Sequence, residues 1–154
     1  MTRVWIALGS NLGARLERLE GAVAELRAVP GLEVLRVSPW IETAPVGGPA
    51  GQGAYLNGVL EAETTLAPRE LLELLLEVER RNGRDRPREQ RHGPRTLDLD
   101  LLFHGDLAID EPGLTLPHPR IEERVFVLEP MARLEPTKRL VSGLTVAERL
   151  RQLA

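Results

Sequence analysis

Tyr55-Leu56-Asn57-Gly58-Val59-Leu60-Glu61-Ala62-Glu63-Thr64-Thr65 alternates along its length. Leu56, Leu60 and Ala62 fall on one face of a strand, and Tyr55, Asn57, Glu61 and Glu63 fall on the other. Pro68 then opens a helix running to about Arg81, with Leu71, Leu72, Leu75 and Val78 inward and Asn82-Gly83 as its stop. Upstream, residues 33–43 are rich in β-branched side chains and read as a strand, with Pro39 marking an edge or bulge. Before that, Leu12, Leu16, Leu19, Val23 and Leu26 recur at helical spacing, with Asn11 as the expected N-cap and Pro30-Gly31 as the stop. Residues 4–8 form a short apolar run that reads as a buried strand, and residues 96–103 read as another.

The resulting order is β-α-β-β-α-β. It predicts an α+β fold with a ferredoxin-like sheet and two helices on one face. The tail holds a proline-marked segment (Pro112, Pro117, Pro119) and an apolar stretch over 125–134. Thr145-Val146-Ala147-Glu148 then fits a capping box, so further helices are expected at the C-terminal end. No repeat or linker interrupts the chain, and its 154 residues predict a single domain over 1–154.

Composition removes many chemistries. There is no cysteine, which excludes disulfides, thiol catalysis and cysteine–zinc sites and suits a reducing cytosol. The only lysine, Lys138, precedes Arg139, so there is no Walker A loop, and none of Ser10, Ser38 and Ser142 sits in a Gly-x-Ser-x-Gly elbow. A net charge of −3 and only 3% aromatic residues argue against a nucleic-acid partner. No apolar run approaches a membrane span and no leader pattern opens the chain, so the expected location is cytoplasmic.

Two adjacent features carry the chemistry. In Thr96-Leu97-Asp98-Leu99-Asp100-Leu101-Leu102, strand alternation projects Asp98 and Asp100 together and sends the leucines the other way. Two carboxylates on one face repel unless a cation or an arginine partners them. Immediately before them, residues 84–95 hold five arginines against Asp85 and Glu89. Arginine forks donate bidentately to phosphate oxygens, and magnesium takes oxygen ligands while keeping its waters. Together the features point to a polyphosphate with magnesium; a solvated edge strand beside a solvated charged loop is the plain alternative. Tyr55 and Asn57 share a polar strand face just after a Gly/Pro-rich loop over 44–54, where an amide and a ring suit a heterocycle edge. Glu79 lies along the apolar stripe of its helix, and His118 is a loop histidine held between Pro117 and Pro119.

Gly9-Ser10-Asn11-Leu12-Gly13, Tyr55-Leu56-Asn57, the run Arg91-His92-Gly93-Pro94-Arg95-Thr96-Leu97-Asp98-Leu99-Asp100, and Leu116-Pro117-His118 occur in this order. They resemble the 6-hydroxymethyl-7,8-dihydropterin pyrophosphokinase family of folate biosynthesis over nearly the whole chain. The resemblance implies transfer of pyrophosphate from ATP to the pterin hydroxymethyl, with ATP as co-substrate and two Mg2+ ions on Asp98 and Asp100. It makes Arg84 and Arg95 phosphate-engaging loop arginines, supported by Arg86 and Arg91. Tyr55 and Phe126 would sandwich the pterin, and Thr43 and Asn57 would bond its edge along with backbone groups near Ala44 and Val46. Glu79, Leu101, Thr115, His118 and Arg124 would line the ATP site. His92, Pro119, Gly113 and Ala44 depart from residues common in the family. No protein partner is implied, and no general base is evident. Two other classes remain open on the residues alone. A non-catalytic phosphate-binding module would keep its affinity in EDTA. A magnesium-dependent phosphohydrolase would consume ATP with no pterin present.

Overall fold

The computed structural model describes residues 1–44, 53–83 and 97–154. Five strands form one antiparallel sheet: β1 (Thr2–Ser10), β2 (Leu32–Val37), β3 (Ile41–Thr43), β4 (Tyr55–Thr64) and β5 (Asp98–His104). The order across it is β2-β4-β1-β5, with β3 paired to β4 beyond the end of β2. Helices α1 (Arg15–Arg27) and α2 (Pro68–Arg81) cover one face, which is the expected ferredoxin-like arrangement.

That face is the main core. Val4, Ile6 and Leu8 of β1, Leu60 and Ala62 of β4, and Leu97, Leu99 and Leu101 meet Leu19, Ala22 and Leu26 of α1 and Leu71, Leu75 and Val78 of α2. The opposite face is covered over part of its length by α3 (Val125–Leu134) and α4 (Val146–Leu153). There Trp5, Val59 and Phe103 pack against Val127, Leu128, Met131 and Val146. Thr145 Oγ1 accepts from the Glu148 N–H at 3.1 Å and Glu148 Oε1 accepts from the Thr145 N–H at 2.8 Å, the capping box read from sequence.

Several expectations need correction. Helix α1 begins at Arg15, three residues after Leu12, and its N-cap is Ala14 with no side-chain bond. Leu12 and Leu16 are each 47% exposed, so the helical face read from them starts a turn too early. The single strand expected over 33–43 is two strands. Ser38 takes over between them, bonding β4 through its own N–H to the Val59 carbonyl and through Oγ from the Val59 N–H, both at 2.9 Å. A hairpin of β6 (Ile109–Glu111) and β7 (Leu114–Leu116), turned at Gly113 with φ +77°, was not anticipated in the proline-marked tail. Glu61, read as part of a polar face, is only 3% exposed.

Candidate active site

The cross-strand register lays out the outer face of the sheet in rungs. Gly9 of β1 pairs with Asn57 and with Asp98, and Ala7 pairs with Val59 and with Asp100. Directly paired residues share a face, so Asn57, Asp98 and Asp100 rise around a floor made of a glycine and an alanine. These residues, together with Phe126 and Val127 of α3, line one cleft. The paired carboxylates inferred from alternation are therefore on one side of the sheet, both half-buried, while Leu97, Leu99 and Leu101 pack in the core behind them.

Gly9 explains why the cleft exists. A Cβ there would stand 2.9 Å from Asn57 Oδ1 and 3.5 Å from Tyr55 Cδ1. Only glycine leaves that rung open. Sequence reading quoted Gly9 as part of a motif and missed this role; its pairing between Asn57 and Asp98 is invisible before the register is known.

Asn57 is 6% exposed, and its Nδ2 donates to Thr43 Oγ1 at 2.6 Å. Thr43, expected beside Asn57 only as a second contact to the pterin edge, is bound to Asn57 itself, and the Thr43↔Tyr55 pair closes the β3–β4 ladder. With its amide nitrogen committed to Thr43, Asn57 directs Oδ1 over Gly9 into the cleft as an acceptor. Ala44 is exposed just beyond β3.

Arg124 and Phe126 flank the other side. Arg124 Nη1 lies 3.8 Å from Asp100 Oδ2, and its guanidinium sits 5.5 Å from the Phe126 ring centroid. His118 follows a cis Leu116–Pro117 peptide, donates its N–H to the Leu102 carbonyl at 2.9 Å, and accepts the Arg120 N–H on Nδ1 at 3.2 Å. Burial first, then the Arg124 charge and after it that of Arg120, lower its pKa to about 4 against the opposing pull of Asp98. The ring is neutral near pH 7. Because Nδ1 is occupied as an acceptor, its proton resides on Nε2.

Glu79 is 1% exposed, and its Oε2 accepts the Leu99 N–H at 2.7 Å. Strand β5 is an edge of the sheet, so this carboxylate satisfies an edge amide between the two aspartates. Leu101 is a core residue, 5% exposed, and can offer a ligand only its main chain. Thr115 is exposed on β7, its hydroxyl 3.5 Å from Asp110 Oδ1. Val46, Arg84, Arg86, Arg91, His92 and Arg95 lie outside the described residues. Among the described residues no cluster of three or more acidic or histidine side chains could hold a metal unaided. Two carboxylates do suit magnesium, a hard ion that keeps waters and takes phosphate oxygens for its remaining positions.

Fold and site together define an α+β protein of the ferredoxin-like class, with an acid-lined cleft at one end of its sheet. Residues 5–136 match the family model for 7,8-dihydro-6-hydroxymethylpterin-pyrophosphokinase. A 2-amino-4-hydroxy-6-hydroxymethyldihydropteridine pyrophosphokinase of Pseudomonas aeruginosa is 42% identical over 96% of this chain and 90% of its own length. The Bacillus subtilis protein of the same name is 46% identical over 84% of this chain and 76% of its own. That of Synechocystis is 45% identical over 85% of this chain, which spans 65% of that relative. Among solved structures, a Plasmodium falciparum HPPK-DHPS superposes with a TM-score of 0.77 at 14% identity, over 98% of this chain and 43% of that one, a likeness of fold. The chain belongs to the 7,8-dihydro-6-hydroxymethylpterin-pyrophosphokinase family. Among the described residues no helix is long and apolar enough to cross a membrane.

Proposed function

We propose that the chain carries out the reaction for which its family is named, with the cleft over Gly9 as the place where the two substrates meet. The reaction transfers pyrophosphate from ATP to the hydroxymethyl group of 6-hydroxymethyl-7,8-dihydropterin, yielding AMP and the pterin diphosphate. The observation that carries the assignment to this cleft is the rung Asn57–Gly9–Asp98. It sets a heterocycle-binding amide and a phosphate-side carboxylate on the same face, with no side chain between them.

Asn57 Oδ1 is an acceptor for the N–H edge of the pterin, and Thr43, whose Oγ1 accepts from Asn57, keeps a hydroxyl proton to donate. Tyr55 and Phe126 supply ring faces to the heterocycle. Asp98 and Asp100 would hold Mg2+, two ions in our reading, which would neutralise phosphate charge as the β-phosphorus is attacked. Arg124, 3.8 Å from Asp100 and over the Phe126 ring, is placed to donate to the phosphates. Neutral His118 donates from Nε2 to the nucleotide, its Nδ1 lone pair being taken by the Arg120 N–H. Glu79, Leu101 and Thr115 border the nucleotide, and Arg84, Arg86, Arg91 and Arg95 add positive charge from the segment preceding β5. In such transfers the protein positions and neutralises more than it reacts.

Incubation with ATP, magnesium and the reduced pterin alcohol tests the reading. AMP and a diphosphorylated pterin are expected in equal amounts, and EDTA is expected to abolish both. ADP formation, or ATP consumption with no pterin present, would overturn it.

A further inference from the structure

Helix α1 begins badly by local rules. Its N-cap is an alanine without a side-chain bond, and its first residue is Arg15, a cation at the positive end of the helix dipole. Asn11, the nearest good capping residue, is turned away: its Nδ2 donates to the Gly53 carbonyl at 3.2 Å. Arg15 is turned away as well. Nη1 donates to the Ala54 carbonyl at 2.8 Å, and Nη2 reaches Glu42 Oε2 at 3.1 Å. A conflict between local preference and tertiary use is where a functional demand shows.

The demand lies next door. Glu42 precedes Thr43 in β3, and Ala54 precedes Tyr55 in β4. The β3–β4 ladder consists of three pairs, Ile41↔Asn57, Glu42↔Leu56 and Thr43↔Tyr55. Strand β3 is thus a three-residue edge strand carrying Thr43, whose hydroxyl must stay on Asn57. So short a ladder frays unless something outside it holds its ends.

We propose that Arg15 is a positioning residue for the pterin side of the reaction. Its planar fork, assisted by Asn11, ties β3 to the start of β4 and so fixes Thr43, Tyr55 and Asn57 relative to one another. The Glu42 arm is solvent-exposed and adds little as an ion pair alone; it aligns β3 on a fork that the bond to the Ala54 carbonyl anchors, so both contacts are needed. Lysine has donors enough but no planar fork, so its point charge holds the two partners less firmly. The pterin role assigned above is the reading on which this rests.

The test pairs kinetics with amide exchange. In Arg15→Met, KM for the pterin should rise about tenfold while kcat and KM for ATP stay within about twofold, with Arg15→Lys in between. Arg3→Met serves as the control for loss of a partly exposed, strand-bridging arginine far from the cleft, and should leave the pterin KM unchanged. In Arg15→Met, exchange should quicken at residues 41–43 and 55–57 but not along β1 and β5. An unchanged pterin KM, a joint rise in both KM values, or unchanged exchange at 41–43 and 55–57 would overturn the proposal. If the wild-type protein makes no AMP, the assigned reaction falls, and the exchange measurement still decides whether Arg15 is a clamp.

Discussion

The outer face of the sheet carries acidic side chains at both ends, and the protein treats them oppositely. At one end, Glu61 is buried and accepts from Arg3 Nη1 and Arg36 Nε, each at 2.6 Å, while Glu63 takes the second Arg3 nitrogen at 2.9 Å. Arg36 continues to the Leu134 carbonyl at the end of α3, so the cluster ties three strands to a helix. Asp100 lies one rung along from Glu61 and Asp98 two, both half-buried at a cleft, with Arg124 3.8 Å from Asp100. One end spends its charges on itself. The other holds them at the mouth of a cleft lined by Gly9, Asn57 and Phe126. Near-identical residue types thus sit in two settings, Glu61 buried between two arginines from neighbouring strands and Asp98 and Asp100 half-buried where a ligand can reach them.

The sharpest way to break that contrast is at Asp98. Asp98→Ala should lower kcat about a thousandfold while the protein still melts as a cooperative folded unit. Steady-state AMP formation and a melting curve check both halves, and near-normal turnover would dissolve the distinction between the ends. Gly9→Ala is next in size. Its Cβ would press on Asn57 Oδ1 at 2.9 Å, so pterin KM should rise on the order of tenfold or more, with ATP affinity little changed. Unaltered pterin KM in that variant would mean that the rung is not where the pterin lies.

How much of this was legible from residues alone follows the same division. The helix over Pro68–Arg81 and the strand ending at Thr64 could be read because period and stop signals agreed with the tertiary structure. The side of the strand taken by Asp98 and Asp100 was legible too, since alternation is local. What could not be read depends on partners distant in sequence. Glu61 looks like a solvated strand residue until Arg3 and Arg36, from the strands on either side, close on it. Asn11 looks like a helix cap until Gly53 claims its amide. The β6–β7 hairpin was missed because its strands are three residues long, too short for a period to register. The resemblance named candidate residues; only the register explains why Gly9 must lie between Asn57 and Asp98.

At the paired end the expected effect is on stability. Burial alone would push the Glu61 carboxyl up, but hydrogen bonds from Arg36 and Arg3 outweigh it and hold the group below the usual carboxylate range. Glu61→Gln keeps the shape and removes the charge. It should cost roughly 2 kcal/mol and lower the melting temperature by about 5 °C, with Arg3 and Arg36 re-solvating because each is more than two-fifths exposed. Both KM values should be unchanged. A variant that melts normally but loses activity would reverse the assignment of the two ends.

The smallest effect separates the ends by pH. His118 at the cleft is held at about 4, against 6.5 for an unhindered imidazole. Between those values the unfolded chain binds a proton that folded His118 refuses, so acidification across that window stabilises the unfolded state. Glu61 behaves differently: its folded value is depressed, so its contribution is intact above the ordinary carboxylate range and disappears only as pH falls through its lowered folded value. The cleft end should therefore begin to cost stability near pH 6.5, and the paired end only below about 4.5. Urea midpoints at pH 7.5 and 5 measure the first window. Wild-type protein should lose more between them than His118→Gln, which has nothing to titrate there, while Glu61→Gln should lose as much as wild type. Equal losses in wild type and His118→Gln would mean that His118 is not held neutral, and that its Nε2 proton is not the fixed donor proposed for the nucleotide.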